Sequence, residues 1–149
     1  MSGRLAMQSM HFKRVFSDRS GVAAIEFAIV APVFFLMVLG LLAYAIYFGA
    51  VHSIQQLAAD AARASVAGIS SSERTELARS NIQHSIQNYP LLDPAKLTIA
   101  ATPSSSDPNL FTVDLHYDAS GNTIFLLEGL VPMPPRIIER QAVIRRGGY

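Results

Sequence analysis

The feature that most constrains this chain is a long run without Asp, Glu, Lys or Arg, from Phe27 to Ala59. Within it, Ala28–Val51 is almost wholly apolar and would form a helix of roughly 36 Å at 1.5 Å per residue. A hydrocarbon core is about 30 Å thick, so this segment is long enough to span a membrane with some tilt. Only 15% of the 149 residues are charged, whereas about a quarter is usual in soluble domains. Because the deficit lies in this run, the sequence predicts a membrane anchor joined to a soluble domain.

Basic residues are concentrated before the apolar run. This N-terminal segment contains Arg4, Lys13, Arg14 and Arg19, with Asp18 as its only acidic residue before Gly21. Positively charged flanks stay on the cytoplasmic side of a membrane. We therefore expect a cytoplasmic N-terminus, with everything after about Val51 across the membrane.

A glutamate, Glu26, lies at the entrance of the apolar run, five positions after Gly21. A carboxylate there is costly near hydrocarbon, although in a plain signal anchor the first helical turn would stabilise it through the macrodipole. Ordinary signal-peptidase cleavage is disfavoured because the run exceeds a 7–15-residue signal core. Cutting between Gly21 and Val22 would instead make Glu26 the fifth residue and create an α-amino group with which it can pair, within one subunit or between neighbours. A short cationic leader, a glycine at the cut, this glutamate and an apolar stalk together resemble a type IV prepilin.

Two further segments narrow the resemblance. The run GVAAIEFA from Gly21 to Ala28, followed by Pro32, and the alanine-rich IQQLAADAARA from Ile54 to Ala64 resemble TadE-like proteins, minor pseudopilins of the tight-adherence (Tad/Flp) pilus. The resemblance extends over residues 19–68 and returns weakly at Gln141–Arg145. TadF-like proteins share this N-terminal pattern, so the pattern does not distinguish TadE-like from TadF-like proteins.

The resemblance implies processing and a place in pilus assembly. It implies cleavage after Gly21 by a dedicated prepilin peptidase, with Val22, Glu26 and Phe27 as the other carried-over residues. The implied partners are other pilins or pseudopilins and pilus assembly proteins in a bacterial inner membrane, with a periplasmic C-terminal domain and a role in pilus biogenesis and adhesion. The alternative is an uncleaved, single-pass periplasmic binding or scaffold protein outside any pilus; a membrane-anchored enzyme is a weaker rival.

Past the membrane segment, the helix is predicted to continue from His52 to about Ala67, because the sequence there is alanine-rich and lacks proline. One smooth face of this stalk lies at helical spacing. It packs either on the chain's own domain or on other subunits, and both interpretations stay open. The face comprises Ile54, Leu57, Ala58, Ala61 and Ala62.

The sequence predicts three regions: a leader over residues 1–21, a transmembrane helix with its stalk over 22–69, and a small domain over 70–149. Gly68 is predicted to end the stalk as a C′ residue. Ser70 and Glu73 match a capping box that starts a second helix, Ser71–Asn88.

Alternating patterns predict strands at Lys96–Ala101, Leu110–Asp118 and Ile137–Arg146. The fold class is therefore α+β, with a helix packed on a short antiparallel sheet of three or four strands. The apolar segment Thr123–Val131 fits a buried strand, a short helix or a partner-binding loop. Its residues either complete the small core or form an exposed patch.

No catalytic motif is recognisable. The chain has no cysteine, and no pair of its four histidines has metal-ligand spacing. His116 shares a polar strand face with Asp114 and Asp118, which we interpret as solvated. The sequence lacks nucleotide-binding glycine motifs and basic stripes interleaved with aromatics. We therefore predict no enzyme activity, cofactor, metal, nucleic acid or small-molecule substrate.

Overall fold

The α+β class predicted from the sequence is confirmed. A computed structural model describes residues 19–104, 107 and 109–145; most of the basic leader and Arg146 lie outside this range. Two helices precede an antiparallel sheet, which within the described residues has three strands in the order β1-β2-β3. The elements are α1 (Arg19–Ser65), α2 (Ser71–Ser85), β1 (Leu97–Pro103), β2 (Leu110–Asp118) and β3 (Ile137–Arg145).

The chain divides into two compact units between Leu39 and Gly40, inside α1. In the first unit, the described residues belong to α1, and most of their apolar side chains are exposed. The second unit contains the rest of α1, α2, the sheet and one shared core. By length and composition, Gly21–Ser65 is apolar enough to cross a membrane.

The sheet follows the predicted alternation. Phe111, Val113 and Leu115 on β2 are fully buried, and Leu115 lies opposite Ile99 on β1 and Arg140 on β3. The first strand begins one residue later than expected and ends two residues later, because its pairing with β2 continues to Pro103.

The turn between the helices differs from the prediction. Helix α1 ends at Ser65, and the amides of the next three residues bond three residues back at 3.1–3.4 Å. Gly68 does not have the positive φ of a C′ residue; among the described glycines only Gly129 does. A Cβ on Gly68 would instead lie 2.7 Å from both Cγ and the amide nitrogen of Arg74. The close approach of Arg74, and not a left-handed backbone, is what favours glycine here.

The predicted cap of α2 is present in a shifted form. The Glu73 amide donates to Ser70 Oγ at 3.2 Å, as in a capping box. The Glu73 carboxylate accepts from the Ile69 amide at 2.9 Å, one residue before the usual partner. At its other end α2 stops at Ser85 and tightens into a 3₁₀ turn over Ile86–Asn88, so the predicted helix to Asn88 is correct in extent but not in its last turn.

The apolar segment between β2 and β3 combines two of the predicted alternatives. Thr123–Leu127 is a 3₁₀ turn, and the Ile124 amide donates to the side chain of its N-cap residue, Asn122 Oδ1, at 3.2 Å. Ile124 and Phe125 are buried in the core. Leu126 is 82% exposed and Leu130 63% exposed, so this segment completes the core with one part and faces outward with the other.

Candidate functional site

The residues predicted for processing lie in the first turns of α1, which begins at Arg19. A Cβ added to Gly21 would meet no atom within 4 Å. Val22 is 63% exposed and Phe27 70% exposed, and Glu26 is exposed as well. Each of these side chains is therefore exposed on α1.

The bond between Gly21 and Val22 lies in the first turn of α1 as the structure describes it. Glycine is about 1 kcal/mol less favourable than alanine in a helix, so Gly21 makes the helix easier to unwind at this bond. Glu26 follows Val22 by four positions, a spacing that places both on one helix face about 5–6 Å apart at Cβ.

The predicted packing face of the stalk lies inside the second unit. Ile54, Leu57, Ala58 and Ala61 are each 0% exposed and belong to the core shared with the sheet. Nearby, Gln55 Nε2 donates to the Gln141 carbonyl of β3 at 3.4 Å. The chain's own domain therefore occupies this face.

Sequence reasoning missed that the buried stripe starts earlier. Ala43 and Ala50 are 3% and 1% exposed, although both lie in the segment assigned to the membrane. A Cβ on Gly40 would lie 3.4 Å from Val131 Cγ1, and one on Gly49 would lie 2.9 Å from Leu91 Cδ1. The signal was the succession of small residues at helical spacing in this part of α1, which permits a close approach of other backbone.

A buried arginine that the sequence did not predict, Arg74, connects the two helices to the sheet. Arg74 is 4% exposed, and its Nε donates to the Ser65 carbonyl at the end of α1 at 3.3 Å. Its guanidinium carbon lies 4.6 Å from the centre of the Phe111 ring. A cation near a helix C-terminus interacts favourably with the macrodipole, so Arg74 links both helices to β2.

The polar face of the sheet carries paired side chains. His116 Nδ1 lies 3.2 Å from Glu139 Oε1, and Gln141 Nε2 donates to Asp114 Oδ1 at 2.7 Å. Within the described residues, no three His, Cys, Asp or Glu side chains converge as a metal site would require. This arrangement can stabilise neighbouring strands through cross-strand pairs.

Among the described residues outside the candidate membrane segment, Asp118 and Tyr89 have shifted pKa values. Hydrogen bonds from Ser120, whose amide lies 2.8 Å from Asp118 Oδ1, are the main reason that the pKa of Asp118 lies below its usual range. Burial, followed by the nearby Asp60 carboxylate, raises the pKa of the Tyr89 phenol. Each shift has a local structural cause.

Comparison with known proteins finds one segment of the chain that matches a known family. Residues 21–63 match the family model described as TadE-like protein. The resemblance predicted from the sequence is therefore confirmed over this segment, which begins at Gly21 and extends through the buried stalk face. Searches of curated proteins and of solved structures returned no match.

Proposed function

We propose that this protein is a minor pseudopilin or assembly component of a Tad-type pilus, cleaved by a prepilin peptidase between Gly21 and Val22. It lies in the bacterial inner membrane as a single-pass protein with its C-terminal domain in the periplasm. Its role is structural and not catalytic: it packs with pilins and pilus assembly proteins and so contributes to pilus biogenesis and adhesion. The match of residues 21–63 to TadE-like proteins is the observation that carries this proposal.

The start of α1 gives the proposal a chemical basis. Cleavage would leave a positive α-amino group at the N-terminus of a helix, where the macrodipole disfavours a cation. Glu26, one helical turn away on the same face, offers a compensating carboxylate to this amine or to that of a neighbouring subunit. Pairing also lowers the cost of bringing either charge beside apolar helices.

The mature N-terminus tests the processing step. We expect intact-mass analysis of the membrane-extracted protein to give a chain that begins at Val22. Replacing Gly21 by leucine should leave the chain uncut, and because an added Cβ meets no atom within 4 Å, a loss of cleavage would not come from a packing defect in the chain itself. A native chain that still begins at Met1 in cells with an active prepilin peptidase would instead favour an uncleaved periplasmic scaffold.

The role of Glu26 requires a separate measurement. We expect Glu26→Gln to reduce piliation while leaving the amount of protein in the membrane unchanged, because the substitution removes charge but keeps size. Glu76→Gln is the matched control, since Glu76 is an exposed glutamate on α2, far from the start of the chain. Normal piliation of the Glu26→Gln strain, or an equal loss in the control, would contradict the proposed pairing.

A further inference from the structure

The loops at one end of the sheet lie beside the part of α1 that the sequence assigns to the membrane. Val131, between β2 and β3, approaches Gly40, and Leu91, between α2 and β1, approaches Gly49. Ile46 shares a cavity of about 430 Å³ with residues of both loops. Both loops therefore lie at the level of residues 40–49 of the helix.

Three leucines on these two loops are exposed, whereas Leu92 is buried in the core. Leu126 is 82% exposed, Leu130 63% and Leu91 41%, and we call these three residues the leucine rim. The β2–β3 loop is held by its own backbone: the amides of Leu130 and Val131 donate to the Leu127 carbonyl at 3.0 and 3.1 Å. Gly129, at φ +88°, permits this turn. The outward position of the rim is therefore built into the loop.

Charged groups on the same loops limit how deep this end can lie. Arg136 and Glu128 form an ion pair at 2.5 Å, with both side chains about half exposed, and Lys96 lines the cavity. Ionised side chains are strongly disfavoured in the hydrocarbon centre. Helix residues 40–49, which these loops flank, therefore cannot lie deep in the membrane.

A membrane-spanning segment that ends at Leu42 instead of Val51 is still long enough to cross the hydrocarbon core. The helix from Val22 to Leu42 has about 20 residues and is roughly 30 Å long, which matches the thickness of a hydrocarbon core. In the second unit, Leu41, Leu42 and Phe48 on α1 are exposed apolar residues. The membrane surface then falls at the level of the leucine rim.

We propose that the leucine rim inserts into the interfacial layer of the bilayer, so that the domain rests on the membrane surface. This inference depends on α1 spanning the membrane, as in the proposed function. Apolar side chains in such a position lie at the boundary between headgroups and acyl chains. Lys96 and the Arg136–Glu128 ion pair then lie at the level of the headgroups, where charged side chains stay solvated.

The absence of cysteine in the native chain allows a direct test. Three single-cysteine variants of the full-length protein, Leu126→Cys, Ile69→Cys and Phe34→Cys, are each labelled with one environment-sensitive fluorophore and reconstituted in phospholipid vesicles. Ile69 is 80% exposed, nearly as much as Leu126, but lies at the opposite end of the domain between the helices. Phe34 lies within the proposed span.

We expect nitroxide-labelled lipid to quench the probe at position 126 roughly twofold or more over the probe at 69, because only the former lies in the interface. Aqueous iodide should show the reverse order. Equal iodide quenching at 126 and 69, with the probe at 34 quenched by lipid, would overturn the leucine rim proposal but leave the anchor intact. Failure of lipid to quench the probe at 34 would refute the membrane span itself and the proposed function with it.

Discussion

The substitution Gly68→Ala tests how the turn between the two helices is built. The added Cβ would lie 2.7 Å from both Cγ and the amide nitrogen of Arg74 and 3.0 Å from its Cα. Side-chain rotation could move Cγ, but relief at the two backbone atoms requires the start of α2 to shift. That shift would disturb the Ser70–Glu73 cap and the bond from Arg74 to the Ser65 carbonyl.

The expected loss follows from two opposing effects. Overpacking of this kind typically costs about 1–3 kcal/mol. Alanine offsets about 0.4–1 kcal/mol of that cost by restricting the unfolded chain. We therefore expect the free energy of unfolding to fall by about 1–2 kcal/mol, and Tm to fall by roughly 4–8 °C per kcal/mol for a domain of this size.

Gly121→Ala is a matched control. Its added Cβ would meet the end of the Lys96 side chain, which can rotate away, so we expect a change within about 0.5 kcal/mol. Full-length protein in a mild detergent can be unfolded by urea or heat and followed by near-ultraviolet circular dichroism of tyrosine, because the chain has five tyrosines and no tryptophan. A Gly68→Ala protein as stable as the native one, or equal losses in the two variants, would refute the reasoning.

The same unfolding assay checks two further predictions. Leu57→Ala should lower the free energy of unfolding by about 2–5 kcal/mol, because Leu57 is 0% exposed; Val66→Ala, at a 45% exposed position, should change it far less, and equal effects would contradict the packing of α1 on the sheet. Asp118 has a lowered pKa in the folded chain, so its contribution is present above its unfolded pKa, near 3.9, and is lost as the pH falls through the folded pKa. Asp118→Asn should therefore lose less stability than the native protein below about pH 4, and identical acid profiles would exclude this contribution.

The strand β2 shows what the sequence predicts well. Its alternation of apolar and polar residues permits only one register, since a shift by one residue would move Phe111, Val113 and Leu115 out of the core. The predicted bounds Leu110–Asp118 agree with the structure. Thr123–Val131 has no such period, so its sequence did not decide between a strand, a turn and a loop.

The candidate site also contains residues that the sequence predicts and contacts that it does not. Gly21 and Glu26 are predicted from local sequence, because the proposed processing depends on their spacing along the chain. The contact of Arg74 with Phe111 and with the end of α1 joins residues far apart in sequence, so no local pattern indicates it. The contacts of Gly40 and Gly49 were missed for another reason: an apolar helix face looks the same in sequence whether lipid or protein covers it.

Residue size along α1 provides the distinction that hydropathy lacks. Lipid accommodates bulky side chains, and the exposed positions before Ala43 include Phe34, Phe35 and Met37. A sheet packed closely on a helix instead favours small residues, and the buried stripe from Ala43 onward is rich in alanine. In the proposed arrangement, the change from bulky exposed residues to small buried ones marks where α1 leaves the hydrocarbon and enters its own domain. Hydropathy alone extends the span to Val51, because alanine and leucine both count as apolar, whereas only the small residue permits the close approach that the sheet requires.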